Sequence, residues 1–417
     1  MPWPGTCPGP CRPARLGSMP TTERLRALIA HELPSLIALR RDLHAHPETA
    51  FEERRTSEVV QRELAAAGIE HRGGLARGTG VLAHIAAAGE RATALRADMD
   101  ALPITEATGA AWSSTIPGRM HACGHDGHTT ILVGAARVLA ALGREGRLPH
   151  PITLVFQPAE EGGGGGRHMI ESGALDGSLL GPPVERIMGL HCWPWLETGA
   201  VALRAGPVMA SADEVKIAVH GTGSHAAMPH TGRDAVLAAS AIVVALQQIV
   251  SRTLDPLDAA VVGISSIHGG TAGNVMPERV ELLGTMRTLR ESTRTEVKER
   301  IERVATNTAL AHGCTATVAF RDGYPVTVND EALTELAGRQ LARAVGSANT
   351  RTMPAPVMGA EDFSYYGQRV PACYIVLGTC REGAPVHPLH SPHFDFNDDA
   401  IATGVMAMCA MALAPTN

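Results

Sequence analysis

Residues 120–142 read MHACGHDGHTTILVGAARVLAAL, a histidine- and glycine-rich turn that runs directly into a helical stretch. The turn packs His121, Cys123, His125, Asp126 and His128 into eight residues. Thiolate and imidazole are the donors that borderline-soft divalent ions prefer, so the turn is a candidate metal loop. A polar surface turn that happens to be rich in histidine is the bland alternative. On either side lie strand-like segments, residues 93–97 (TALRA) and 152–156 (ITLVF). The apolar pattern after the turn predicts a helix over residues 129–142, closed by Gly143. Strand, helix, strand argues for a layered α/β domain.

Working outward, residues 22–68 carry leucines at helical spacing, with Pro34 expected in the first turn of a second helix. Beyond residue 205 the texture changes. Residues 214–220 alternate as a strand, 235–250 read as a buried helix, and 260–267 and 280–289 are strand-like. A charged amphipathic helix over 292–312 and a strand over 315–320 complete the order β-α-β-β-α-β, a self-sufficient split-βαβ sandwich. We therefore expect an N-terminal extension over residues 1–20 that is disordered, being rich in Pro, Gly and Cys. A larger domain over 21–205 and 321–417 would then be interrupted by an inserted α+β domain over 206–320.

The chain has 417 residues, enough for two domains, with 45% hydrophobic and 19% charged residues. Its net charge of -6 argues against a nucleic-acid partner. No segment reads as a membrane span, because residues 235–250 are too short and carry Ser240, Gln247 and Gln248. The eight cysteines form no regular framework, which fits reduced thiols in a cytoplasm.

The strand at 152–156 leads into Gln157-Pro158-Ala159-Glu160-Glu161 and five glycines. Ligand sites in α/β sheets gather where strands end at their carboxyl edge. Neighbouring side chains in a loop point apart, so one glutamate can hold a metal while the other serves as general base. A solvated acidic turn is equally open at this point. His191, after residues 186–190, and His390, in LHSPHF, are further donors that are weak individually.

Together these segments resemble a known family. MHACGHDGH, QPAEEGGGG, GLHCWP and LHSPHF look like the metal motifs of the dinuclear amidohydrolases, which include hippurate hydrolase, N-acyl-amino-acid amidohydrolases and plant indoleacetyl-amino-acid hydrolases. That group is a branch of the aminoacylase and glutamate carboxypeptidase superfamily. RADMDALPI, GTGSHAAMPH, GGTAGNVMPE and GAEDFSYY match in the same order, so the resemblance covers residues 22–414. It implies a mixed-sheet, zinc-peptidase-like catalytic domain with a ferredoxin-like insert that serves as lid and dimerisation domain.

By the same resemblance, Cys123, His125, Glu161, His191 and His390 would hold two divalent ions, zinc or manganese, with cobalt or nickel as alternatives. Glu160 would be the general base, and His225 would reach the partner subunit's site to steady an oxyanion. Asn274 and Arg287 would grip a substrate carboxylate, with Glu361 bordering the pocket. Asp98 and Asp100 stand where the wider superfamily has His-x-Asp; we expect them to orient the ligands from behind, unless they merely cap a turn. His121 and His128 are expected to be satisfied structural groups. The implied reaction is hydrolysis of N-acyl amino acids by a homodimer or higher homo-oligomer. The rivals are a dipeptidase or carboxypeptidase, an N-acetyl-diaminopimelate deacetylase, and a non-catalytic binding protein that kept the fold.

Overall fold

The computed structural model describes residues 21–415. The expectation for residues 1–20 lies outside them. Along the chain come α1 (Thr21–Ala45), α2 (Arg54–Ala66), β1 (Glu70–Leu75), β2 (Gly80–Ile85), β3 (Ala92–Asp98), α3 (His125–Arg144), β4 (Ile152–Gln157), α4 (Gly165–Glu171), β5 (Val184–Glu197), β6 (Val201–Leu203) and β7 (Gly206–Met209). Then follow β8 (Asp213–His220), β9 (Ser224–His225), α5 (Ala235–Gln248), β10 (Ala260–Gly269), β11 (Val275–Met276), β12 (Arg279–Thr288), α6 (Glu291–Ala311) and β13 (Thr315–Asp322). The chain closes with β14 (Thr327–Asn329), α7 (Glu331–Ala344), β15 (Thr350–Thr352), α8 (Ser364–Gly367), β16 (Ala372–Cys380) and α9 (Ile401–Ala412).

Eight strands make a mixed sheet in the order β1-β2-β4-β3-β5-β16-β6-β15. At its centre β4, β3, β5 and β16 run parallel, so their carboxyl ends open on one edge. These strands are apolar almost throughout because both faces are covered. One face packs on α1, α2, α3, α7 and α9. The other carries Met169, Val208, Phe363 and Tyr366.

The helix after the metal loop starts at His125, four residues earlier than expected, because Gly124 at φ 83° turns the chain sharply into it. A β-carbon on Gly124 would lie 2.6 Å from Cys192 Sγ, so glycine is required for the close approach as well as for the turn. Residues 21–45 form one helix with Pro34 inside it, where two were expected. Proline forfeits one helical bond, but Ile29, Leu36, Leu39 and Leu43 bury a common stripe that carries the helix through.

The second sheet is antiparallel, in the order β10-β12-β8-β13, with α5 and α6 packed against it. Its order of elements is the expected β-α-β-β-α-β. The reading of residues 235–250 as a buried helix needs correction. Ala235, Ala238, Ala239, Ile242 and Leu246 face the sheet, but Leu237 and Val244 are 55% and 74% exposed. A two-layer sandwich has nothing above its helices, so the outer face of α5 stays open. Residues 235–253 are long and apolar enough to cross a membrane, yet this helix's inner face is spent on the second sheet.

Candidate metal centre

Strands β3, β4 and β5 bring two loop segments and one strand position to the carboxyl edge of the large sheet. Cys123 and His125 arrive on the turn into α3, Glu160 and Glu161 follow β4, and His191 lies within β5, which continues past it to Glu197. His390 comes from the segment after β16. It sits at φ 64°, a conformation that a side chain disfavours, and its amide donates to the Ala122 carbonyl at 2.8 Å.

The donor atoms converge. Those of Cys123, His125 and His191 lie within 4.8 Å of one another, as do those of Cys123, Glu161 and His390, and of His125, Glu160 and Glu161. Cys123 Sγ is 3.4 Å from His191 Nε2, and His390 Nε2 is 3.0 Å from Glu161 Oε1.

Hydrogen bonds decide which ring nitrogens face inward. His191 Nδ1 lies 2.8 Å from the Cys192 carbonyl, which only accepts, so Nδ1 carries the proton and Nε2 presents a lone pair. His125 Nδ1 likewise meets the Asp100 carbonyl at 2.9 Å, and its buried Nε2 has no hydrogen-bond partner. An orphaned buried lone pair aimed at a thiol and a carboxylate fits a cation. His128 differs: Nδ1 meets Asp98 Oδ1 at 2.7 Å and Nε2 accepts the Cys192 amide at 2.8 Å, leaving it no free donor. His121, expected to be satisfied, is buried with both ring nitrogens unpartnered, and burial lowers its pKa to about 4.

Electrostatics point the same way. Burial pushes the Cys123 thiol well above its ordinary pKa, and Glu161, Cys192, Glu160 and Asp98 add to this. Burial likewise raises Glu160, helped by Glu361, Glu161, Asp362 and Asp100. Burial opposes charge on His125, but Asp98, Asp100 and Glu161 outweigh it and raise its pKa to about 10. Its Nε2 thus favours a positive charge, which a metal ion would supply in place of a proton. The cluster crowds acidic groups where only positive charge relieves them.

Asp98 and Asp100 stand behind the donors. Asp100 accepts the amides of Glu160 at 3.0 Å and Glu161 at 2.9 Å. Asp98 bonds His128 and Arg96 and lies 3.8 Å from His125 Nε2. Sequence reasoning missed the arginine. Its guanidinium is fully buried and reaches Asp98 at 2.7 Å, Asp362 at 2.8 Å, Gln157 at 2.9 Å and Glu361 at 3.0 Å. A charge inside an otherwise apolar strand was the available signal, since a buried charge requires partners.

Glu361, expected to border the substrate, is spent internally. Its oxygens accept from Arg96, the Phe363 amide and the Tyr374 hydroxyl. Its sequence context showed an acidic residue near the site but not that an arginine lay beneath it. Arg287 borders a cleft of about 560 Å³ lined by Gly162, Gly164, Tyr324 and Tyr365, and bonds the Met286 carbonyl at 3.0 Å. His225 and Asn274 are exposed neighbours on the insert, joined by the Ala226 amide and the Asn274 carbonyl at 3.0 Å. His225 is in none of the three donor groups named above, and its Nδ1 accepts the Ala227 amide at 3.0 Å.

Convergent cation donors that include buried and part-buried carboxylates fit a metal-dependent hydrolase. The chain belongs to peptidase family M20/M25/M40, whose model matches residues 94–414. It is 39% identical over 382 residues to an IAA-amino acid hydrolase (ILR1-like 4) of Arabidopsis thaliana, covering 90% of this chain and 84% of the relative. It is 41% identical over 368 residues to an N-acetyl-L-cysteine deacetylase of Bacillus subtilis, covering 88% and 84%. A Bacillus subtilis crystal structure described as a dinuclear metal-binding peptidase of the M20 family superposes with a TM-score of 0.80 at 32% identity, covering 93% and 98%.

Proposed function

We propose that this protein hydrolyses the amide bond of N-acyl amino acids at a pair of divalent ions held by Cys123, His125, Glu161, His191 and His390. The observation that carries this reading is the convergence of those five donors beside Glu160. Amide-cleaving relatives, named for an IAA-amino acid and for N-acetyl-L-cysteine, support the substrate class. Zinc suits the mixture of sulfur, nitrogen and oxygen donors, and manganese is the next candidate.

When bound, such ions supply Lewis acidity, acidifying a water and polarising a carbonyl. Glu160 then takes the proton of the attacking water and returns it to the departing amine. Burial among carboxylates raises the proton affinity of Glu160, and cations held beside it would favour the carboxylate that accepts the proton. Arg287, with Asn274 beside it on the insert, grips the substrate carboxylate, for which a guanidinium fork is well matched. His225 contributes an oxyanion donor to the partner's site.

The working unit is a homodimer in this reading. Two unpaired surfaces of the insert support it: β10 is an edge strand with Val261 and Ile267 exposed, and the outer face of α5 is apolar. A cytoplasmic setting is supported by the free thiols of Cys123, Cys192, Cys314, Cys373, Cys380 and Cys409.

The test combines elemental analysis with kinetics on hippurate, N-acetyl-methionine, N-acetylcysteine and simple dipeptides. We expect two equivalents of divalent metal and turnover of the N-acyl amino acids. Turnover of dipeptides alone would move the protein to the peptidase reading.

A further inference from the structure

The loop that presents Glu160 and Glu161 is held in an unusual backbone path. Ala159, Gly162 and Gly164 all have positive φ, at 55°, 101° and 65°. A β-carbon on Gly165 would fall 1.6 Å from the Pro158 carbonyl oxygen, so the loop folds tightly back on itself. Such a path persists only where the surroundings impose it. Glu53 and Asp100 hold it from the large-sheet side, through the amides of Ala159 at 2.8 Å and of Glu160 and Glu161.

Asp362 adds to this by accepting the Gly166 amide at 2.8 Å and donating its own amide to Glu160 Oε1 at 3.3 Å. A further restraint comes from the second sheet. Tyr324 lies two residues beyond β13, on the strand's return to the large domain. Its hydroxyl donates to the Glu160 carbonyl and accepts the amides of Gly162 at 2.8 Å and Gly164 at 3.3 Å. One oxygen therefore closes three hydrogen bonds around the loop. The backbone of Tyr324 is tied to the insert just past the end of the β8–β13 ladder: the Ala212 amide donates to its carbonyl at 2.9 Å. The preceding Gly323 amide donates to Asp213, itself gripped by both arms of Arg294 at 2.6 and 2.7 Å. Tyr365 stacks edge-on against Tyr324, centroids 6.0 Å apart, and its hydroxyl donates to the Gly323 carbonyl at 3.2 Å.

We infer that Tyr324 is a positioning residue whose hydroxyl couples the placement of the inserted domain to the presentation of Glu160. This inference rests on Glu160 being the general base. When the second sheet shifts against the first, the Tyr324 backbone moves with it and the Glu160–Gly164 loop is pulled through the hydroxyl. A substrate carboxylate held on β12 by Arg287 and a base held through Tyr324 are thereby set by the same body.

The test is Tyr324→Phe in the full-length, metal-loaded enzyme, which deletes one oxygen and keeps the ring. Misplacing a reacting group by a fraction of an ångström lowers turnover more than binding, so kcat should fall about tenfold or more while KM stays within about threefold. Metal content should hold. Hydrogen exchange should speed up most at the Gly164 amide, which loses its acceptor, and less at Gly162, whose amide keeps the Glu160 carbonyl at 2.7 Å. A purely structural tyrosine would lower the melting temperature and leave kcat and exchange at those amides unmoved. Tyr365→Phe, which frees Gly323 but keeps the clamping oxygen, should shift both readouts in the same direction by less. Glu160→Gln separates the two ideas. If it is inactive while Tyr324→Phe and Tyr365→Phe match the wild type in kcat and exchange, the coupling is wrong and the base assignment stands. If Glu160→Gln stays active, the base assignment fails, and unchanged exchange in Tyr324→Phe would then overturn the clamp as well.

Discussion

Asp100 Oδ1 accepts the Glu160 amide at 3.0 Å, while its other oxygen accepts that of Glu161 at 2.9 Å. One carboxylate thus sets the path of both glutamates, and its Oδ1 is also 3.3 Å from His125 Nδ1. Asp100→Asn swaps one acceptor oxygen for an amide nitrogen, so one bond is lost and two N–H donors are left facing each other. We expect kcat to drop by about tenfold to a hundredfold in a folded protein, with weaker metal retention on dialysis, because supporting groups commonly tune affinity by that much. Steady-state kinetics with elemental analysis before and after dialysis decide it. Wild-type values in both would show that the glutamates hold their path unaided.

Glu160 and Glu161 are neighbours with different surroundings. Glu161 Oε1 meets His390 and lies 4.0 Å from His125, whereas Glu160 Oε1 faces the Asp362 amide at 3.3 Å. Glu160→Gln should therefore yield folded, metal-loaded and nearly inactive enzyme, and Glu161→Gln an enzyme that loses metal first. The reverse pattern, with metal lost in the first variant and kept in the second, would exchange the two roles.

His225 is exposed in its own chain, on a two-residue ladder with Val275. If it completes the partner's site, His225→Ala should retain its metal and lose on the order of a hundredfold in kcat, the usual cost of one oxyanion donor. Mixing it with a Glu160→Gln subunit should regenerate one competent site per heterodimer. No recovery on mixing, together with full activity of a monomer in sedimentation, would retire the cross-subunit role.

Much of this was legible because the chemistry is local. The metal donors sit in short motifs dense in histidine, cysteine and glutamate, and the insert's strands alternate visibly, since one face of that sheet is covered. What stayed hidden depends on long-range partners. Arg96 joins Asp98 to Glu361 and Asp362, which lie 265 and 266 residues from it. Tyr324 reaches back 164 residues to Glu160. No periodicity marks such pairs. Apolar character likewise cannot tell a helix covered on both sides from α5, which is covered on one.

The turn that carries the metal donors is buttressed by a second charged group with its own pH signature. Asp126, adjacent to His125 and fully buried, bonds His44 at 2.8 Å and pairs with Arg40 at 2.9 Å; His44 also meets Glu106 at 3.3 Å. Burial works against the imidazolium of His44, but Asp126 and the bonds to Asp126 and Glu106 prevail and raise its pKa to about 9. A pKa raised on folding stabilises the native state below the unfolded value of about 6.5, and that contribution fades as pH climbs through 9. The amount at stake is about 3 kcal/mol, at one pKa unit per roughly 1.4 kcal/mol. Glu106 acts oppositely: its pKa is lowered to about 2, so its support holds above its ordinary range and goes in strong acid. Denaturant unfolding of the wild type should therefore lose stability between about pH 6.5 and 9.5, and His44→Gln should flatten that slope. An identical slope in the two proteins would mean that the imidazolium of His44 does not support the turn.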